Sequence, residues 1–243
     1  MEARSFYTDN KTYFDLPYLR RSAAELVRGL SLIRRTRAGD KAAAIGLKIG
    51  FWPFVKEFEL AIDQQALPRE PLARKFGDSL MRRAFVWMAR AMREMKSEEG
   101  SHAAHWRKDA ECLGVGELRD HRVPAVQALI DRAYSRDLPR FFAMLAGTEF
   151  IAEELSHFLI ESEDFINLFS RRRWVWGEVH VASHDRAPSH LDLDLDLARA
   201  YDVTTSPTAV QQMILDSIML FGRAADEVED FAGVVELDAN NVL

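Results

Sequence analysis

Apolar residues recur at helical spacing through most of the chain. Leu26, Leu30 and Ile33, four and then three apart, predict an early helix that ends by the Arg37-Ala-Gly-Asp40 turn. A more apolar helix follows from about Asp40 to Ala66 and stops at Leu67-Pro68, with Pro53 inside it as a kink or a split. Pro71 opens the next helical pattern, which turns Phe76, Leu80, Phe85, Met88 and Met92 to the core. It runs on past Gly100 and closes at Leu113-Gly114-Val-Gly116.

Pro124 and Pro139 each begin a helix, the second rich in Phe, Met, Leu and Ile and reaching about Glu161. A helix is expected from about Glu163 to His184, with a break near Arg186-Ala-Pro188. Leu191 to Tyr201 reads as a short helix, although its Leu/Asp alternation also has strand period. A last helix spans about Ser206 to Phe231. No repeat and no flexible linker interrupts this order. The expected fold is all-α, a single domain of seven to eight helices over residues 18–232, with an N-terminal extension (1–17) and a C-terminal tail (233–243).

Composition narrows the function classes. The 243 residues are 48% apolar and 29% charged, enough for a sizeable core under an ordinary soluble surface. A net charge of −6 recommends neither nucleic acid nor an anionic membrane as partner. The one cysteine, Cys112, rules out an internal disulfide, fits a reducing cytoplasm, and reads as structural in an apolar setting. The start of the sequence lacks the basic and apolar pattern of a signal peptide. The apolar region from Ala42 to Val55 is too short to span a bilayer. The expectation is a cytoplasmic protein.

The histidines carry the chemistry. There are seven, none before residue 102, and most travel with carboxylates. Glu99 and His102 are three apart, a spacing that makes side chains neighbours on a helix, roughly 5–6 Å between Cβ atoms. Glu149, Glu153, Glu154 and His157 interrupt a very apolar helix, and Glu154 with His157 repeats the Glu-x-x-His spacing. His180 and His184 are one turn apart, with Asp185 and His190 close behind. Charged groups on a core-facing stripe are costly unless paired or metal-bound. Facing helices that supply carboxylates and Glu-x-x-His pairs can build a two-metal centre. Each cluster also has a bland reading as a wet helix edge.

Other catalytic chemistry finds no foothold. The chain has no Gly-rich phosphate loop and no Gly-x-Ser-x-Gly elbow. His105 and His121 read as surface or loop residues.

Three stretches resemble the haem-oxygenase-like di-iron oxidase superfamily, and within it the fatty-acid decarboxylases that form terminal alkenes. Gly50-Phe-Trp-Pro-Phe-Val-Lys-Glu-Phe58 is similar to that family's Gly-Gly-Trp-Pro-Val-Val-Glu-Gln-Phe. Glu99-Gly-Ser-His102-Ala-Ala-His-Trp106, with Gly114-Val115 and Val123-Pro124 after it, is similar to its Glu-x-x-His helix. Trp176-Gly-Glu-Val-His180, with a polar residue four further on, is the third. The resemblance spans about residues 45–200. It implies a haem-oxygenase-like bundle with two metals between core helices, ligated by Glu99, His102, Glu153 and His180. The family's His-x-x-x-Asp-x-x-His is altered here, with His184 at its Asp position and Ala187 at its last His position. Asp185 and His190 are the available replacements.

The resemblance therefore implies a non-haem iron oxidase or oxygenase. It would hold Fe(II), two per chain or else Mn, without haem, and use O₂ on a small carboxylic-acid or amino-acid-derived metabolite by C–C cleavage or hydroxylation. Phe51, Trp52, Phe54 and Phe150 are candidate pocket residues. A homodimer is the expected assembly, with no nucleic-acid or membrane partner. The alternative is a metal-free relative of the thiaminase-like (TenA) proteins and pyrroloquinoline-quinone synthase, binding a metabolite or oxidising it without a cofactor. A thiaminase-type cysteine is missing from the Pro139 helix, and the haem-oxygenase type of proximal histidine is missing from the first helix.

Overall fold

The computed structural model describes residues 13–169, 173–184, 189–202 and 206–240, and of some of them, among them Phe76, Leu80, Glu99, His184 and 232–240, it describes the backbone alone, so the core positions expected for Phe76 and Leu80 lie outside the described side chains. Ten helices are present among these residues, and no strand. They are α1 (Leu16–Gly29), α2 (Ser31–Arg37), α3 (Lys41–Asp63), α4 (Arg69–Cys112), α5 (Pro124–Ala133), α6 (Leu138–Ile160), α7 (Glu163–Ile166), α8 (Val175–His184), α9 (His190–Tyr201) and α10 (Pro207–Asn240). Two of them are short, the seven-residue α2 and the four-residue α7. The remainder meets the expectation of an all-α domain of seven to eight helices.

Local chemistry accounts for the boundaries. The Asp40 side chain accepts from the Ala42 and Ala43 N–H groups and caps α3. Gly39, at φ 78°, makes the preceding turn. Helix α3 runs through Pro53 rather than splitting there. Helix α4 is long but not one straight rod, because Gly77 (φ 73°, ψ 160°) breaks its backbone. Leu191, Leu193, Leu195 and Leu197 are all buried, so α9 is enclosed on several sides. That enclosure explains a strand-like alternation on a helix. Ser189 and Asp192 form a capping box that starts it.

Two expected helices are divided, the early one at Leu30, whose extended backbone (φ −65°, ψ 129°) separates α1 from α2. Glu163 to His184 is not continuous: α7 ends at Ile166, and Trp174 precedes α8. The Trp174 side chain is fully buried, against Phe165 and Trp176. It lies over Gly177, where a Cβ would stand 2.3 Å from the indole ring. Burying this ring outweighs the local preference for one long helix.

Helix α6 is the axis of the bundle, with α1, α8, α9 and α10 packed around it. Its buried set includes Phe141, Phe142, Met144, Leu145, Phe150, Leu155 and Leu159. Against α10 it comes so near that a Cβ on Gly147 would lie 2.8 Å from Ser217 Cβ. Helix α10 approaches α3 the same way, since a Cβ on Gly50 would meet Val228 at 2.3 Å. Between α3, α4, α6, α8 and α10 this packing leaves one notable space.

Candidate functional site

That space is a cavity of about 90 Å³, apolar over most of its wall. Phe51, Phe54 and Phe58 of α3, Leu155 of α6 and Phe221 of α10 form its greasy side. His102, Glu149 and His180 form a polar end, with Trp106 and Trp176 behind them. This is the common form of a ligand site, apolar walls with a few convergent polar groups.

The polar end is assembled from four helices. His102 on α4 and His180 on α8 are both buried, with ring centroids 4.1 Å apart and planes tilted by 34°. His190, the first residue of α9, lies 6.2 Å from His102 by ring centroid. Its Nδ1 is 3.9 Å from Glu149 Oε1 on α6, close enough for an ion pair when the imidazole is protonated. Glu149 is 4% exposed. A carboxylate that deep needs a cationic or hydrogen-bonding neighbour.

His180 is held in one orientation. Its Nδ1 is 3.0 Å from the Trp176 carbonyl oxygen. A carbonyl only accepts, so Nδ1 carries a proton, and in the neutral ring that leaves the lone pair on Nε2. The Trp176 ring stacks on the imidazole with centroids 3.8 Å apart. Fixing the tautomer through the other ring nitrogen is how proteins prepare a metal-ligating or proton-accepting histidine.

Behind this wall lies a buried ion pair. Lys48 Nζ on α3 is 3.4 Å from Asp109 Oδ2 on α4, with both side chains 2% exposed. The ammonium stands 3.7 Å from the centroid of the Trp106 ring, and the rings of Trp174 and Trp176 complete an aromatic box around it. Burial lowers the Lys48 pKa to about 8, although Asp109 opposes the shift. Burial likewise raises the Asp109 pKa, against the pull of Lys48. In the sequence Lys48 interrupts the apolar region from Ala42 to Val55. A lone charge in so apolar a stretch was the available signal.

The structure sorts the other predicted residues. Glu153 is ion-paired with Arg20 of α1 and is not among the described residues that line the cavity. Glu154 lies 3.8 Å from Arg28, and His157 is exposed. Helix phase is the reason. Residues four apart on an α-helix differ by about 40° in direction, so the line Glu149, Glu153, His157 rotates from cavity to solvent. Glu99 is placed one turn before His102 on α4, and His184 at the end of α8; their side chains, and Asp185 entirely, lie outside the described residues. Phe51 and Phe54 line the cavity. Trp52 and Phe150 do not: both are buried elsewhere, Trp52 beneath Arg107 and Phe150 beneath Arg20. Cys112 is exposed at the end of α4, not packed as expected, because the last turn faces it outward. His121 stacks on Phe231 from the loop after α4.

The fit to a metal is mixed. Imidazole nitrogens and a carboxylate are the donor set that suits iron or manganese. Among the described residues, however, no group of three or more His, Cys, Asp or Glu stands ready to hold an ion.

A crystal structure of a TenA homolog from Pseudomonas syringae pv. tomato superposes with a TM-score of 0.62. The fold is TenA-like. The match covers 88% of this chain and 92% of the other at 17% sequence identity, so the likeness is one of fold. No family model and no curated protein matches the sequence. Among the described residues no helix is long and apolar enough to cross a membrane.

Proposed function

We propose that this chain is a non-haem iron enzyme that uses O₂ on a small metabolite with an apolar body and one polar end. The observation that carries the reading is the convergence of His102, Glu149 and His180, from three helices, at a polar end of an apolar cavity, with His190 of a fourth helix beside Glu149. Those residues, with Glu99 from the turn before His102, would hold the iron. When bound, the iron supplies O₂ activation, and the reaction class is C–C cleavage or hydroxylation of a carboxylic-acid or amino-acid-derived substrate.

The chain's own contributions are positional. Phe51, Phe54, Phe58 and Phe221 exclude water and take the apolar body of the substrate. The carboxylate of Glu149 neutralises positive charge at the polar end. His180, with its proton on Nδ1, presents Nε2 as a ligand or a proton acceptor. Among the described residues no Lys or Arg lines the cavity, so an anionic substrate group would meet an imidazolium or a metal there.

The test is an anaerobic Fe(II) titration of the wild type beside His102→Ala/His180→Ala, followed by O₂ consumption with small carboxylic and amino acids. Near two irons per chain, lost in the variant, supports a dinuclear centre completed by His184, Asp185 or His190. About one iron makes the enzyme mononuclear. No iron in either protein removes the reading.

A second reading rests on a separate observation. His102 and His180 stand face to face at 4.1 Å with no described trio of ligands around them. In a metal-free protein of the same fold this pair would perform acid–base work on a bound heterocycle. Activity that survives chelation but not His180→Ala would select it.

A further inference from the structure

Helix α8 carries His180, and among the described residues just before it no side chain caps its first turn. The residue before it is Trp174, whose indole N–H is a donor and offers nothing to the first-turn amides. The acceptor comes from another helix. Asp109 of α4 takes the backbone N–H of Trp176 at 3.2 Å on Oδ2, and it also accepts from Val175. The same oxygen faces Lys48 Nζ at 3.4 Å. Trp106, whose indole N–H donates to the Lys48 carbonyl at 2.9 Å, locks α4 to α3 beside the pair.

These contacts form one line: Lys48 to Asp109, Asp109 to the Trp176 amide, and the Trp176 carbonyl to His180 Nδ1. We propose that Asp109 is a positioning residue, a cap supplied in trans that fixes the first turn of α8 and through it the tautomer and direction of the His180 imidazole. Lys48 is the counter-charge that lets a carboxylate stay ionised this deep. Two charges buried against three tryptophans are costly where apolar side chains would pack as well. Their retention is explained by what the carboxylate does for α8. The proposal rests on His180 being a site residue, but not on which chemistry the site performs.

The experiment is long-range ¹H–¹⁵N NMR of the histidine rings in metal-free protein, so that failure of the iron reading leaves it intact. Wild type is expected to show His180 as a single Nδ1–H tautomer. Lys48→Met/Asp109→Leu removes both charges and the acceptor; it should stay folded and helical while the His180 signals average between tautomers. Lys48→Met/Asp109→Asn, which retains an acceptor oxygen without charge, should restore the single tautomer. Fe(II) affinity, read in parallel, should fall roughly 10–100-fold in the leucine variant and recover in the asparagine one. An Nε2–H tautomer in wild type overturns the proposal, and so does a folded leucine variant with unchanged His180 signals. Should the leucine variant not fold, the asparagine variant decides: a single Nδ1–H tautomer supports the cap, and averaged signals in a folded protein overturn it.

Discussion

His102 and His180 approach to 4.1 Å between ring centroids although they stand on different helices, α4 and α8, joined by neither turn nor hairpin. Two buried imidazoles in van der Waals contact disfavour double protonation, because like charges at that distance repel in a medium of low dielectric. The pair is therefore suited to share one proton or to give lone pairs to one acceptor. Every prediction about activity turns on that geometry.

Glu149 and Glu153 are expected to separate cleanly on substitution. Glu149→Gln should weaken Fe(II) binding and activity by at least tenfold. Glu153→Gln should leave both unchanged and cost at most about 1 kcal/mol in stability, the worth of a partly exposed ion pair. Urea melts and metal titration on the two variants check this. Equal loss of metal from Glu153→Gln would return that residue to the site.

The cavity can be filled without touching the cluster. Ala225→Phe, on the apolar wall, should retain metal and the histidine tautomers while abolishing the thermal shift caused by short-chain carboxylic acids. Unaltered ligand shifts would mean that the substrate lies elsewhere.

Breaking the buried pair should be severe. Lys48→Met alone leaves Asp109 buried without its counter-charge and is expected to cost about 3–5 kcal/mol. The pH dependence has a definite sign. The folded Lys48 pKa, about 8, is below the unfolded value of about 10.4. Between those values the unfolded chain binds more protons, so this group's contribution is fully present above about pH 10.4 and is lost as pH falls through about 8. The stability of wild type relative to Lys48→Met, followed by chemical denaturation from pH 7.5 to 10, should rise with pH. A flat difference would count against the lowered pKa.

The close contact between α3 and α10 predicts that Gly50→Ala destabilises, by about 1–3 kcal/mol, despite the better helix propensity of alanine. Ser189→Ala should cost about 1 kcal/mol by removing the capping box ahead of His190. Thermal melts measure both, and a stabilised Gly50→Ala would show that the helices can move apart.

Much of the architecture was legible along the chain. Helical period, the prolines that open α5 and α6, and the caps at Asp40 and Gly114 are local properties, decided within a few residues, so the all-α fold and most boundaries follow from sequence. His102 and His180 were visible for the same reason, as polar residues on core-facing stripes. What only the tertiary structure decided is everything that depends on how helices are rotated against one another. Glu149 rather than Glu153 reaches the cavity because α6 is apolar on all sides, so its pattern contains no phase and its neighbours set it. The break at Trp174 was chosen by a pocket between Phe165, Trp176 and Gly177, not by any local signal. In sequence Lys48 looks like an isolated charge and Asp109 like one more charge in the Arg107-Lys108-Asp109-Ala110-Glu111 run. Their meaning arises when α3 and α4 pack side by side and bring both charges to the start of α8, because burial makes a charge find a partner and only the fold determines which.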